Sequence, residues 1–267
     1  MTQISILGCG WLGLPLAKAL LKNEFSIKGS TTSVEKLSVL ENSGIQPFLI
    51  ALSEEKPTGN LTGFLENSNI LIIDVPPKLR GSEKENFVSK IKNIIPFIEK
   101  STIENVLFIS STSVYGEENL VVIEETELNP DTESGKQLVQ AEQLLQSNPN
   151  FKTTVLRFGG LIGEDRHPIK FLAGRKNIEN PNAPINLIHQ DDCIGIIMEI
   201  LKSNSWNETF NAASPFHPSR KEYYTKKAID LDLVAPEFID ETSFLGKTIS
   251  SSKIETVLRY QFIKPTL

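Results

Sequence analysis

Short apolar runs and helical patterns take turns along the first 160 residues. Gln3–Leu7, Phe25–Gly29, Ile45–Ile50, Ile70–Val75, Val106–Ser110 and Thr154–Phe158 read as strands. Between them, Trp11–Lys22, Val34–Asn42, Glu83–Lys100 and Lys136–Gln146 carry apolar residues at helical spacing. Ile70-Leu71-Ile72-Ile73 and Val106-Leu107-Phe108-Ile109 are continuously apolar instead of alternating, which implies burial on both faces. The order predicts an α/β fold, a Rossmann-type doubly wound parallel sheet with helices on both faces. Beyond residue 160 the pattern loosens around Pro168, Pro181, Pro184, Pro215 and Pro218, with helical stretches at Asp191–Lys202 and Ser219–Leu231 and a strand near Phe210–Ala212. The expected organisation is a core over residues 1–160 and a smaller substrate-side lobe over 161–267. The lobe packs on the core and returns elements to the sheet, giving one integrated domain.

Composition narrows the function classes. Lys and Arg total 27 against 33 Asp and Glu, a net charge of −6, and no basic block occurs. Binding to nucleic acid or an anionic membrane needs clustered cations, so a small-molecule substrate is the better expectation. Cys9 and Cys193 lie far apart with no metal-ligand spacing, which suggests neither a disulfide framework nor a metal site and fits a cytoplasmic protein. Ile6-Leu7-Gly8-Cys9 superficially matches a lipoprotein cleavage box, but no basic residue precedes it and its cysteine comes too early for a signal segment.

Gly8-Cys9-Gly10-Trp11-Leu12-Gly13 satisfies GxGxxG between the first strand and the first helical pattern, the context that a dinucleotide-binding loop requires. Gly8 would allow the tight turn, Gly10 the approach of a pyrophosphate and Gly13 close helix packing. Trp11 and Leu12 open the helix whose N-terminus holds the anion. A purely structural turn is the plainer alternative. The acidic residue that would bind the ribose of NAD about 20 residues further on is absent. Thr31, Thr32 and Ser33 stand there with Lys36 nearby, which favours NADP over NAD, although the same hydroxyls can simply cap the next helix. Val75, Pro76 and Ser110, at the ends of later strands, are expected to line the same cleft.

The strand ending at Ile109 runs into Ser110-Ser111-Thr112-Ser113-Val114-Tyr115-Gly116. Here the sequence resembles the extended short-chain dehydrogenase/reductases, the NAD-dependent epimerase/dehydratase superfamily. The resemblance continues through Leu156-Arg157-Phe158-Gly159-Gly160, Asn186-Leu187-Ile188-His189-Gln190-Asp191-Asp192 and Phe210-Asn211-Ala212-Ala213, so it spans nearly the whole chain. It implies a nicotinamide cofactor, an oxidoreductase or epimerase acting on a small hydroxyl- or sugar-containing metabolite, and a homodimer through sheet-flanking helices. By this resemblance Ser111 takes the place of the active-site serine, with Thr112 beside the substrate. The family's basic Tyr-x-x-x-Lys is missing: Ser134 falls where the tyrosine belongs and Leu138 where the lysine belongs. Lys136 lies about 200° round the helix from Leu138, on the wrong face to replace it. The departure matches the atypical branch of the group, as do Gly163-Glu164-Asp165-Arg166-His167-Pro168 and His217-Pro218-Ser219-Arg220.

With that pair gone, Tyr115 and His167 are the candidates for moving a proton, and Arg166 for gripping a substrate carboxylate or phosphate. Each has a blander alternative. Tyr115 can pack at the strand end and donate one hydrogen bond, and Arg166 can pair with Asp165, Asp191 or Asp192 to fasten the lobe. Asp191 and Asp192 suit a helix N-terminus, and Arg157 inside an apolar strand calls for a carboxylate partner. The competing functional reading is a catalytically silent NAD(P)-binding sensor or interaction protein. A β-hydroxyacid dehydrogenase shares only the first loop and would need an all-helical second half.

Overall fold

A computed structural model describes residues 2–77, 79, 85–118, 121–241 and 246–267. The chain runs β1 (Gln3–Leu7), α1 (Gly13–Lys22), β2 (Ser26–Thr31), α2 (Glu35–Asn42), β3 (Gln46–Leu49), α3 (Leu61–Leu65), β4 (Ile70–Ile73), α4 (Phe87–Glu99) and β5 (Asn105–Ser111). It continues through a 3-10 turn (Thr112–Val114), β6 (Val121–Val122), α5 (Glu133–Gln146), β7 (Lys152–Phe158), β8 (Gly160–Ile162), α6 (Ile169–Leu172) and β9 (Leu187–His189). The last elements are α7 (Gln190–Ser203), β10 (Thr209–Ala212), α8 (Arg220–Asp230), β11 (Thr248–Ile249) and α9 (Ser252–Val257).

Seven strands form one parallel sheet in the order β3-β2-β1-β4-β5-β7-β10. All four residues of β4 are buried, as the unbroken apolar run predicts. Two apolar layers cover the sheet. On one face Leu16 and Leu20 of α1, Ile196 and Ile197 of α7 and Ile254 of α9 pack together. On the other, Phe64 of α3, Phe87, Ile91 and Ile94 of α4, and Leu138, Ala141 and Leu145 of α5 do so. A third, smaller cluster joins Ile162, Ile169, Ile185, Leu187, Tyr223, Tyr224 and Ala228 away from the sheet.

The chain moves outward one way from β1 through β2 to β3, then returns to place β4 on the other side of β1 and builds outward again. β1 and β4 therefore flank the point where the winding reverses, the crevice at which open α/β sheets bind ligands. β10, from the last third of the sequence, completes the edge beside β7. The helix expected from Glu83 is observed from Phe87, and Glu83 and Lys84 lie outside the described residues. The helix expected from Lys136 starts earlier, at Glu133, because the Thr132 hydroxyl caps it by accepting the Gly135 N–H at 3.1 Å. Among the described residues no helix is long and apolar enough to cross a membrane.

Candidate functional site

A cleft of about 540 Å³ opens along the carboxyl ends of the strands. It is lined by Gly8, Cys9, Gly10, Trp11 and Leu12 after β1, and by Thr31, Thr32 and Lys36 after β2. Asp74, Val75, Pro76 and Pro77 follow β4, Ser110 and Ser111 end β5, Lys90 and Leu138 come from α4 and α5, and Arg166 from the segment between β8 and α6.

The three glycines of the loop differ in what surrounds them. Gly8 has φ +109°, and a Cβ there would lie 2.3 Å from the Asp74 carbonyl oxygen, so only glycine fits. A Cβ on Gly13 would lie 2.2 Å from the Gly8 carbonyl, which keeps the start of α1 tight against the loop. Gly10 has no atom within 4 Å of its Cβ position: its missing side chain leaves open space on the cleft side. The Gly10 N–H is taken by Gly8 at 2.9 Å, whereas the N–H groups of Trp11 and Leu12 find no acceptor among the described residues. Unsatisfied N–H groups at a helix N-terminus beside a vacant glycine edge fit a pyrophosphate.

Across the cleft, the Ser30 hydroxyl accepts the Gly8 N–H at 2.9 Å and ties β2 to the loop. Thr31 and Thr32 line the cleft as expected, and Lys36 joins them. Ser33 does not line it; its hydroxyl donates to Glu35 at 2.5 Å, the helix-start alternative. Ser111 faces the cleft, its Oγ accepting the Ser113 N–H at 3.2 Å, while the adjacent Thr112 is buried and outside the lining. Ser110 reaches the cleft and donates to Glu142 at 2.5 Å.

Besides Ser33 and Thr112, the two residues expected to move a proton require correction. Tyr115 is 2% exposed and off the cleft lining, because the 3-10 turn after β5 swings its ring into the core. Its hydroxyl donates to Asn211 Oδ1 at 2.9 Å and accepts from Arg157 Nη1 at 2.6 Å, and burial raises its pKa, the wrong direction for a base. Arg157 finds the predicted carboxylate in Glu142, at 2.7 Å with both partners buried. His167 is also buried and off the lining, in the third apolar cluster's vicinity. Its Nδ1 accepts the Ile169 N–H at 3.1 Å, which leaves Nε2 to donate to the Tyr223 hydroxyl at 2.9 Å. Burial, helped by Lys227 and Lys170, lowers its pKa to about 4 and keeps the imidazole neutral. The Tyr223 ring stacks on His167, 5.7 Å between centroids.

Arg166 does line the cleft, but not through the carboxylates expected for it. Its guanidinium lies over the Trp11 ring, 5.0 Å from the centroid. Asp165 instead accepts the Trp11 indole N–H at 2.8 Å, and buried Asp192 accepts from the Tyr260 hydroxyl and the Ile263 and Lys264 N–H groups. Asp191 lies 3.3 Å from His189 Nδ1. Gln190 donates to the Trp11 carbonyl at 2.7 Å, so the glycine loop is tied directly to the start of α7.

Asp74 escapes a motif search. Burial raises its pKa to about 7, against the opposing pull of the Gly13 N–H and Arg166. The only sequence signal is a carboxylate interrupting the apolar run Ile70–Val75 where a strand meets the cleft. Lys90, buried on α4 and paired with Glu85, is a second cleft residue without a motif.

The Escherichia coli K12 protein YeeZ is 31% identical over 268 residues, covering 99% of this chain and 97% of YeeZ. The chain belongs to the YeeZ family. No family model matches it. Solved structures similar to this YeeZ-family chain include a candidate NAD-dependent epimerase/dehydratase from Methylobacillus flagellatus, with TM-score 0.81 and 23% identity over 99% of this chain and 94% of that one. UDP-glucuronic acid 4-epimerase from Bacillus cereus, solved with NAD, has TM-score 0.79 and 19% identity over 98% and 91%. At these identities the likeness shows the fold, the Rossmann-like α/β architecture. Among the described residues of the YeeZ-family chain, Leu138 and the exposed Lys136 leave α5 without a lysine in the cleft.

Proposed function

We propose that this chain binds a nicotinamide dinucleotide across the β1/β4 crevice and serves as an atypical, epimerase/dehydratase-like oxidoreductase for a small hydroxyl- or sugar-bearing metabolite. The observation that carries the reading is the glycine loop: a vacant Gly10 edge beside the Trp11 and Leu12 N–H groups, which find no acceptor among the described residues. The B. cereus 4-epimerase of the same fold was solved with NAD, which supports the same class of cofactor here. When bound, that cofactor supplies hydride exchange. The protein's own part is positional. Gly8–Gly13 would seat the pyrophosphate, Thr31, Thr32 and Lys36 would meet the adenosine end, and Val75 and Pro76 would wall the cleft. Ser111 would hold the substrate hydroxyl, with Arg166 available to an anionic group.

Lys36 and the two threonine hydroxyls suit a 2′-phosphate, so NADP is the expected preference. Calorimetric titration with NADPH, NADP, NADH and NAD tests this: micromolar binding, tighter for the phosphorylated pair, is expected. Lys36→Ala should cut that preference about tenfold by removing one charge-assisted contact. Failure of all four to bind would remove the proposal.

The sensor alternative draws on a specific observation, the burial of Tyr115 and His167 away from the cleft. Turnover separates the two. An oxidoreductase oxidises or reduces the bound nicotinamide with some hydroxyl metabolite and loses this in Ser111→Ala, whereas a sensor binds the dinucleotide and never changes its redox state.

A further inference from the structure

The cofactor reading, on which this inference rests, asks for a surface that welcomes negative charge, yet the crevice holds a carboxylate. The Asp74 N–H donates to Leu7 at 2.9 Å, continuing the β1/β4 pairing, so the residue stands at the reversal point. Its Oδ2 is 3.1 Å from the Cβ position of Gly13, beside the first turn of α1. An ionised Asp74 would share this helix N-terminus with the dinucleotide's phosphates, and like charges so close in a partly dry site cannot both persist cheaply.

We propose that Asp74 admits the dinucleotide only as the neutral acid, so that seating the pyrophosphate takes up one proton from solvent, while Arg166 turns its charge from Asp74 to the phosphates. Protonation converts Asp74 from an acceptor-only group into an O–H donor able to bond a phosphate oxygen. Arg166 sits in the cleft on the Trp11 ring and acts electrostatically on Asp74, which lines the same cleft.

Among the described residues, the groups acting on Asp74 are Cys9 from the glycine loop, Cys193 from α7, Arg166 from the segment after β8 and the Gly13 N–H. Burial keeps both thiols neutral, Cys9 with a pKa raised to about 12 and Cys193 well above its usual value. A guanidinium does not deprotonate in proteins. Asp74, raised to about 7, is the member of this set that changes charge near neutrality. A nearby pyrophosphate raises it further, so proton uptake occurs between the free and bound values. Affinity is flat below about pH 6 and falls by up to about tenfold per pH unit above about pH 7.

The test is calorimetric titration with NAD from pH 6 to 8.5 in two buffers of different ionisation enthalpy. NAD is the probe because a 2′-phosphate itself titrates near about pH 6. The expected result is a buffer-dependent heat at pH 8 corresponding to uptake approaching about one proton, with affinity declining above neutrality. Asp74→Asn should bind with flat affinity and no uptake. Arg166→Gln removes a pull that lowers the Asp74 pKa, so its affinity should begin to fall at a higher pH than in the wild type. This variant decides the assignment should Asp74→Asn fail to fold. Equal wild-type affinity at pH 6 and 8.5 without proton exchange would overturn the proposal, as would a wild-type slope in Asp74→Asn. Absence of NAD binding at every pH would be a different result, removing the cofactor reading itself.

Discussion

Gly8 and Gly10 stand two residues apart in one motif and face opposite consequences if a methyl group is added. At Gly8 the methyl would meet the Asp74 backbone on a φ of +109°, so Gly8→Ala should destabilise the fold by about 2–4 kcal/mol. At Gly10 nothing lies within 4 Å, so Gly10→Ala should melt within about 2 °C of the parent while NAD binding weakens at least about tenfold. Thermal melts beside calorimetry would check the pair. A Gly10→Ala chain that binds NAD normally would mean that the phosphates do not pass there. The glycine motif was legible because its chemistry is local: three glycines, a preceding strand and a following helix. Asp74 was not legible, since its importance comes from β4 lying beside β1, a pairing between segments distant in sequence. Tyr115 and His167 were visible as reactive residue types. A 3-10 turn in one case and a backbone N–H bond to Nδ1 in the other decide where they point, and no spacing rule carries that.

Among the elements, α5 anchors the sheet. Leu138 occupies its cleft face, while Glu142, one turn on, is buried against Arg157 of β7 and accepts the Ser110 hydroxyl of β5. Removing one member of a buried, hydrogen-bonded pair leaves the other charge stranded, so Glu142→Met should cost about 3–5 kcal/mol. Glu142→Met with Arg157→Met should recover a large part of that loss, because no bare charge remains. Urea unfolding of the two singles and the double would show it; strictly additive losses would mean that the pair is not coupled. The principal strands and helices of the core were readable from apolar period alone, since parallel strands buried on both faces leave unbroken apolar runs. The short elements α3, β6, β8, β9, β11, α6 and α9 were not. With two to six residues each, they hold too few positions to show a period, and tertiary contacts fix them.

At the scale of the molecule, the glycine loop and segments far along the chain meet at the mouth of the cleft through Trp11. Its indole N–H is held by Asp165, its carbonyl by Gln190 and its ring by Arg166, so one residue of the glycine loop touches three residues from the later part of the chain. The sequence contains only one other tryptophan, Trp206, between α7 and β10 and therefore at the far end of the parallel strands. The protein thus carries its own optical gauge. In Trp206→Phe all indole emission comes from the cleft wall, and a reduced nicotinamide bound there would accept the excitation energy. Titration with NADH should dim that emission in step with calorimetric saturation, and an unchanged spectrum at saturation would place the dinucleotide elsewhere. A shift in emission colour would further report any movement of Arg166 off the ring on occupancy, without any label attached to the chain.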